Sequence, residues 1–257
     1  MVWILPLLLL GFACGVIVNY LADILPISRK LSKPFCPNCG SAFDLKNYIL
    51  WPRQCPYCRQ KRRSRTYVVE AFFALLMIYL WFEPNPRINF ILSLLIWIYF
   101  VLVIVIDLEH RLILHPVSIS GVILGSGIGI GMHGVASTLL GGIIGFLIML
   151  VLYYTGIILL KLVRKHKKDE ILPIDGQSGD EALGFGDVNL SGVVGLLLGW
   201  PGIIAGITLT IFLAGGFSLF YIIYMLINKK YRAYMAIPYG PFIILGAAIL
   251  LFLLNNQ

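Results

Sequence analysis

The chain has 257 residues, of which 59% are hydrophobic and only 12% are charged, and its formal net charge is +8. A soluble domain carries roughly 45–50% apolar and about 25% charged residues, so this chain lacks the charge to cover a water-facing surface. The composition excludes a soluble globule, a disordered tail and a disulfide-stapled miniprotein, and it leaves a membrane-embedded protein.

A bilayer core takes about 20 mostly apolar residues per helix. The first candidate span covers residues 2–25. It has no basic stretch before Trp3 and no clear cleavage site, so it reads as a retained helix rather than a signal peptide. Residues 26–66 follow as a loop that holds ten Lys and Arg residues. Within it stand Cys36-Pro-Asn-Cys39 and Cys55-Pro-Tyr-Cys58, with fifteen residues between the pairs. Two such knuckles have the ligand spacing of a tetrahedral, four-thiolate structural zinc site. Four thiolates leave no open position for water, which argues against catalytic zinc. Gly40 follows the first knuckle, where a turn with positive φ is expected. A bound metal folds a loop too small to have a core of its own.

Spans at 67–82 and 88–107 come next, and the second ends in Ile106-Asp107. A carboxylate near the bilayer costs on the order of several kcal/mol and is a functional candidate by default. The dipole at a helix C-terminus also opposes its charge. Spans at 112–133 and 136–160 follow. Gly121, Gly125 and Gly129 repeat every four residues there, a small-residue stripe for close helix packing. Gly129-Ile-Gly131-Met-His-Gly134 matches a dinucleotide fingerprint by its letters. No strand precedes it, so it too reads as packing and implies no S-adenosylmethionine site. The polar stretch 161–187 leads into Gly184-Phe-Gly186-Asp187 and a short span at 188–199. A Gly199-Trp200-Pro201-Gly202 turn and spans at 202–227 and 236–254 complete the chain. Taken alone, Asp187 reads equally well as an N-cap after a glycine turn.

Eight spans place 19 of the 20 Lys and Arg residues on one face, with only Arg87 opposite. By the positive-inside rule that face is cytoplasmic and both termini lie outside. The expected fold class is therefore all-α: a polytopic membrane helix bundle with a small cytoplasmic zinc-binding loop between helices one and two. The domain reading is a first helix at 1–25, a four-cysteine loop at 26–66, and a transmembrane bundle at 67–257 whose cytoplasmic loop 161–187 leads to Asp187.

In this topology Asp107 and Asp187 both fall at cytoplasmic helix ends, at one membrane depth. If those ends meet, two carboxylates share one proton and activate a water, as in aspartic proteases. The flanking Gly184 and Gly186 are expected to let backbone approach an extended peptide. Asp107, opposed by its helix dipole, is expected to hold the proton, and Asp187, favoured by its own, to act as the base. Asp23 and Glu70 form a rival acid pair, read as ion-paired to the Arg and Lys residues around them.

With these motifs in place the chain resembles the bacterial type IV prepilin peptidases, membrane aspartic proteases of the GxGD class. The resemblance begins at Gly15, Asn19, Leu25 and Pro26 and runs through the two Cys pairs, Arg65 and Glu70. It continues through Ile106-Asp107, Glu181-Ala-Leu-Gly184-Phe-Gly186-Asp187-Val-x-Leu190, and Ile237-Pro238-Tyr-Gly240-Pro241-Phe242. It implies an enzyme of the bacterial cytoplasmic membrane. Such an enzyme removes the basic leader of prepilins and pseudopilins on the cytoplasmic face, cutting after a glycine. Many members then N-methylate the new terminus with S-adenosylmethionine. The first cytoplasmic loop is associated with that activity, and Arg65 and Glu70 are its candidate residues here. Glu109, Asp180 and Glu181 stand near the two acids and are candidates for attracting a basic leader.

The chain also departs from the family pattern. Ile113-Leu114-His115-Pro116 stands where Ile-Pro-Asp is common, Asn189 where lysine is common, and Arg65-Thr66-Tyr67 where Arg-Tyr-Pro is common. The stretch between the Cys pairs is shorter than usual. The last two changes lie in the loop associated with methylation. The basic loop is expected to face anionic lipid headgroups, at about 1 kcal/mol per near-surface cation. No recognition helix or aromatic platform points to nucleic acid. The alternatives are an ion- or proton-coupled transporter or secretion scaffold, or a different GxGD protease.

Overall fold

The computed structural model describes residues 4–36, 38–43, 45–49, 53–166, 184–228 and 238–253. The described residues are helical, without strands: α1 (Ile4–Ser28), α2 (Leu45–Ile49), α3 (Arg65–Phe82), α4 (Phe90–His110), α5 (His115–His166), α6 (Phe185–Leu198), α7 (Gly202–Ile227) and α8 (Gly240–Ala248), which continues as a π-helical turn, Ile249–Leu253. Among them α1, α3, α4, α5 and α7 are long and apolar enough to cross a membrane, and α6 and α8 are shorter apolar helices. Their apolar residues run around the whole circumference, as happens when the outer face meets lipid instead of water. Phe212 and Phe220 of α7, for example, are exposed aromatic side chains.

The chain divides into two compact units, Met1–Ile106 and Asp107–Gln257. In the first, α1 and α3 pack antiparallel. Cβ atoms at Gly11 and Gly15 would lie 2.8 Å from Ala74 Cα and 2.7 Å from Glu70 Cα, so the small residues set the helix spacing. Asn19, fully buried, donates through Nδ2 to the Thr66 carbonyl at 3.0 Å across the same seam. The segment between α1 and α3 holds the short α2 and two β-bridges, Phe35–Ala42 and Gln54–Lys61, one around each cysteine knuckle.

In the second unit the packing is organised by α5. Its ladder breaks at Gly134, with φ 79° and ψ 167°, a conformation that disfavours any side chain. The break separates two arms, close to the expected boundary between spans at 112–133 and 136–160, and α6 lies between them. Gly125 and Gly129 of the first arm, and Gly141, Gly142 and Gly145 of the second, approach α6 so closely that Cβ atoms would meet it. Ser191 Oγ donates to the Gly145 carbonyl at 3.0 Å in this seam. Lipid gives helices no hydrophobic drive to associate, so close backbone contact and interhelical hydrogen bonds hold them. The stripe expected from glycine spacing is thus a packing stripe, although Gly131 and Gly134 meet nothing within 4 Å. At the far end of α6, Trp200 N donates to the Ser137 carbonyl at 2.9 Å and Ser137 Oγ to the Trp200 carbonyl at 2.8 Å. These bonds tie the α6–α7 turn to the second arm.

Candidate active site and metal centre

Asp107 opens the second unit, in the last turn of α4. The chain leaves the helix at Arg111, whose φ is 50° and whose N–H donates to the Asp107 carbonyl at 2.9 Å. This is a left-handed helix stop of the kind glycine usually supplies. The Asp107 side chain is only 5% exposed. Its carboxylate faces the backbone N–H of Gly240 at the start of α8, and the Arg111 charge acts on it. Its Oδ2 atom is buried without a hydrogen-bond partner among the described residues.

Asp187 sits in the first turn of α6 and is 7% exposed. The N-cap is Gly184, and Asp187 occupies the third helical position. The alternative reading of Asp187 as an N-cap is therefore corrected. Its backbone N–H donates to the Gly184 carbonyl at 3.0 Å. Its carboxylate reaches back toward the Gly184 N–H, one half of a capping box. Asp107 lies near enough for its charge to act on Asp187. The fold thus brings the two carboxylates together inside one compact unit.

The two glycines of the motif have different surroundings. A Cβ on Gly186 would sit 2.8 Å from Ile113 Cβ, so Gly186 admits the chain after α4 against the first turn of α6. Gly184 has an ordinary extended backbone, φ −76° and ψ 142°, and a Cβ there would meet nothing closer than 3.6 Å. Gly186 and Ile113 thus hold the two acid-bearing segments against each other. Tyr239, half-buried, stands immediately before α8.

Of the expected leader-binding acids, Glu109 is half-buried two residues beyond Asp107, a spacing that puts the two on different faces of α4. Asp180 and Glu181 lie outside the described residues.

In the first unit the four sulfurs of Cys36, Cys39, Cys55 and Cys58 all lie within 4.8 Å of one another. The Cys36–Cys58 and Cys39–Cys55 pairs are each 3.5 Å apart. A tetrahedron with about 2.3 Å Zn–S bonds has edges of about 3.8 Å, so the donor set fits zinc. The two knuckles repeat one design. Cys36 N donates to Ser41 O at 2.8 Å and Gly40 N to Cys36 O at 2.8 Å. Cys55 N likewise donates to Gln60 O at 3.0 Å and Arg59 N to Cys55 O at 2.9 Å. Gly40 has the expected positive φ, 72°, and Arg59 takes the matching place at 53°. The backbone N–H of Cys58 and the Ser41 hydroxyl pull the Cys55 thiol down to about 6, while burial and the neighbouring thiols push Cys58 up to about 11, so without a metal the four sulfurs do not all favour the thiolate.

The rival acids are ion-paired. Arg62 and Arg65 both pair with Asp23, the former at 2.6 Å, and Tyr48 OH donates to the same carboxylate at 2.8 Å. Arg53 pairs with Glu70 at 2.7 Å, both buried. Arg65 thus ties α3 to α1, while Arg62 and Arg53 hold the cysteine loop to Asp23 of α1 and Glu70 of α3. Sequence reasoning gave no role to Arg53, Arg111, Tyr239 or Gly240. The Pro238-Tyr-Gly-Pro241 run at a helix start is the signal that marks the last two.

A family model described as the type IV leader peptidase family matches residues 90–219, just over half of the chain. That range contains both Asp107 and Asp187. Neither the curated proteins nor the solved structures gave a match.

Proposed function

Because this chain belongs to the type IV leader peptidase family, we propose that it is a membrane-embedded aspartic endopeptidase whose catalytic pair is Asp107 and Asp187. The observation that carries the reading is two buried carboxylates in one helical unit, near enough for the charge of one to act on the other, inside the matched region. Two like charges held this close do not both ionise, so the pair shares a proton. Asp187, in the first turn of α6, is favoured as the charged member by that helix's dipole. It takes a proton from water as the water oxygen attacks the scissile carbonyl carbon. Asp107 gives its proton to the carbonyl oxygen, forming a gem-diol. The gem-diol then returns a proton to Asp107 as the C–N bond breaks, and Asp187 protonates the leaving amine.

In this reading the chain crosses the membrane eight times, with the break at Gly134 separating the fourth and fifth spans. Its basic loops and both acids face the cytoplasm of a bacterium. The substrates are prepilins or pseudopilins, cut after a glycine between a basic leader and an apolar helix. Glu109, Asp180 and Glu181 attract the leader. Zinc, held by Cys36, Cys39, Cys55 and Cys58, supplies structure to the first loop and takes no part in hydrolysis. Arg65 and Glu70 have structural ion pairs, and no methyl-transfer step is routed through them. The family match favours a peptidase over a carrier or scaffold.

The test is cleavage of a model prepilin by the purified protein. Wild type should cut, and Asp107→Ala and Asp187→Ala should each lose at least about 10³-fold in kcat. Two variants that still cut would overturn the dyad.

A further inference from the structure

We propose that the start of α8 is the third wall of this active site, and that Gly240 is the positioning residue for Asp107. The proposal rests on the peptidase reading above. It concerns a segment outside the region that the family model matches, since α8 begins at Gly240 and the match ends at 219.

The first N–H groups of any helix lack partners within it, and those of α8 from residue 240 on can be followed one by one. Pro241 has no N–H. Phe242 N and Ile243 N turn back to the Tyr239 carbonyl, at 3.0 and 3.3 Å. The N–H of Gly240 remains, and it faces the Asp107 carboxylate. Proline at 241 thus leaves one donor directed at one acid.

The missing side chain matters as much as the donor. A Cβ at residue 240 would lie 2.6 Å from Asp107 Oδ2 and 3.2 Å from its Cγ. Carbon and carbonyl oxygen normally meet at about 3.3 Å or more. Any side chain here drives the carboxylate away from its place beside Asp187. The same Oδ2 is buried and has no hydrogen-bond partner among the described residues. It is the oxygen best placed to carry the shared proton or to meet the substrate carbonyl.

The geometry also corrects the helix-dipole argument for Asp107. That residue sits at the C-terminal end of α4, which disfavours its charge, and against the N-terminal end of α8, which favours it. The two ends offset one another, so Asp107 is poised rather than simply opposed.

The experiment compares Gly240→Ala with Gly246→Ala in the cleavage assay, with wild type and Asp107→Ala alongside. A Cβ at Gly246 on the same helix would meet Thr210 Oγ1 at 2.7 Å and Gly206 O at 3.0 Å, equal crowding with no acid nearby. Gly240→Ala should lower kcat about 100-fold or more, as small misplacements at a reacting centre do, with KM within about threefold of wild type. Gly246→Ala should lower the thermal midpoint while its folded fraction keeps wild-type kcat. A kcat for Gly240→Ala within about threefold of wild type overturns the proposal. Equal kcat losses in both glycine variants, measured per folded enzyme, also overturn it, because they assign the effect to α8 packing. If Asp107→Ala cuts like wild type, the assignment of Asp107 to the catalytic pair fails, and the proposal with it; if wild type does not cut, the peptidase reading fails.

Discussion

Replacing Glu70 by Gln asks whether the Arg53–Glu70 pair clamps the cysteine loop onto α1 and α3. Both side chains are 7% exposed, and Nη1 and Oε2 are 2.7 Å apart. Arg53 stands two residues before Cys55, with a left-handed φ of 53°. Its Nε donates to the Ile49 carbonyl at 2.8 Å, and its guanidinium lies over the Phe12 and Tyr67 rings at 5.4 and 5.3 Å. Removing one charge from a buried pair costs about 3–5 kcal/mol, because the other is left uncompensated. Glutamine keeps an oxygen for the guanidinium, which returns part of that loss through a hydrogen bond to a charged group. A net cost of about 2–3 kcal/mol is expected, or about a 30- to 150-fold shift in the opening equilibrium of the loop. The assay begins with zinc content, about one ion per chain for a four-thiolate site, and follows its release to excess chelator in detergent micelles. Where the loop recloses faster than chelator captures the metal, the release rate tracks that equilibrium. Replacing the whole pair, Arg53→Met with Glu70→Met, should bring release back to within about threefold of wild type, since apolar residues of similar volume are near neutral in such sites. Wild-type release from Glu70→Gln would refute the clamp. A double variant as leaky as the single would refute its electrostatic origin.

The two motif glycines should separate by mutation. Gly186→Ala places a Cβ 2.8 Å from Ile113 Cβ and displaces the turn that carries Asp187, whereas Gly184→Ala has 3.6 Å of room. Cleavage per folded enzyme should fall at least about tenfold in the first and stay within about threefold in the second. Neutralising Glu109, Asp180 and Glu181 together should raise KM for a basic leader with little change in kcat, the mark of lost ground-state binding. An unchanged KM would remove these acids from the substrate site.

Much of this architecture is legible along the chain because its signals are local. Apolar runs long enough to cross a bilayer mark α1, α3, α4, α5 and α7, and the two halves of α5 were separable before Gly134 was seen to break it. The knuckles are short closed turns, so Cys-x-x-Cys and Gly40 specify their own geometry. Scarcity of charge made Asp107 and Asp187 conspicuous, since a buried carboxylate needs a reason. Role assignment within the glycine motif was not legible. Both glycines look alike in sequence, and only Ile113, brought in from the end of α4, tells Gly186 from Gly184.

The tertiary structure decided what depends on partners distant in the chain. Glu70 and Asp23 read from sequence as paired to nearby cations, but only the packing names Arg53 as the partner of Glu70, and Arg62 and Arg65 as those of Asp23. Asp107 appeared to sit only at a helix C-terminus until α8 delivered the Gly240 N–H to it. Sequence by itself determined the apolar helices and the knuckles, because periodicity, spacing and hydropathy act over neighbouring residues. Which groups compensate each buried charge was left to the packing, because electrostatic environment is set by whatever the fold brings within a few ångströms.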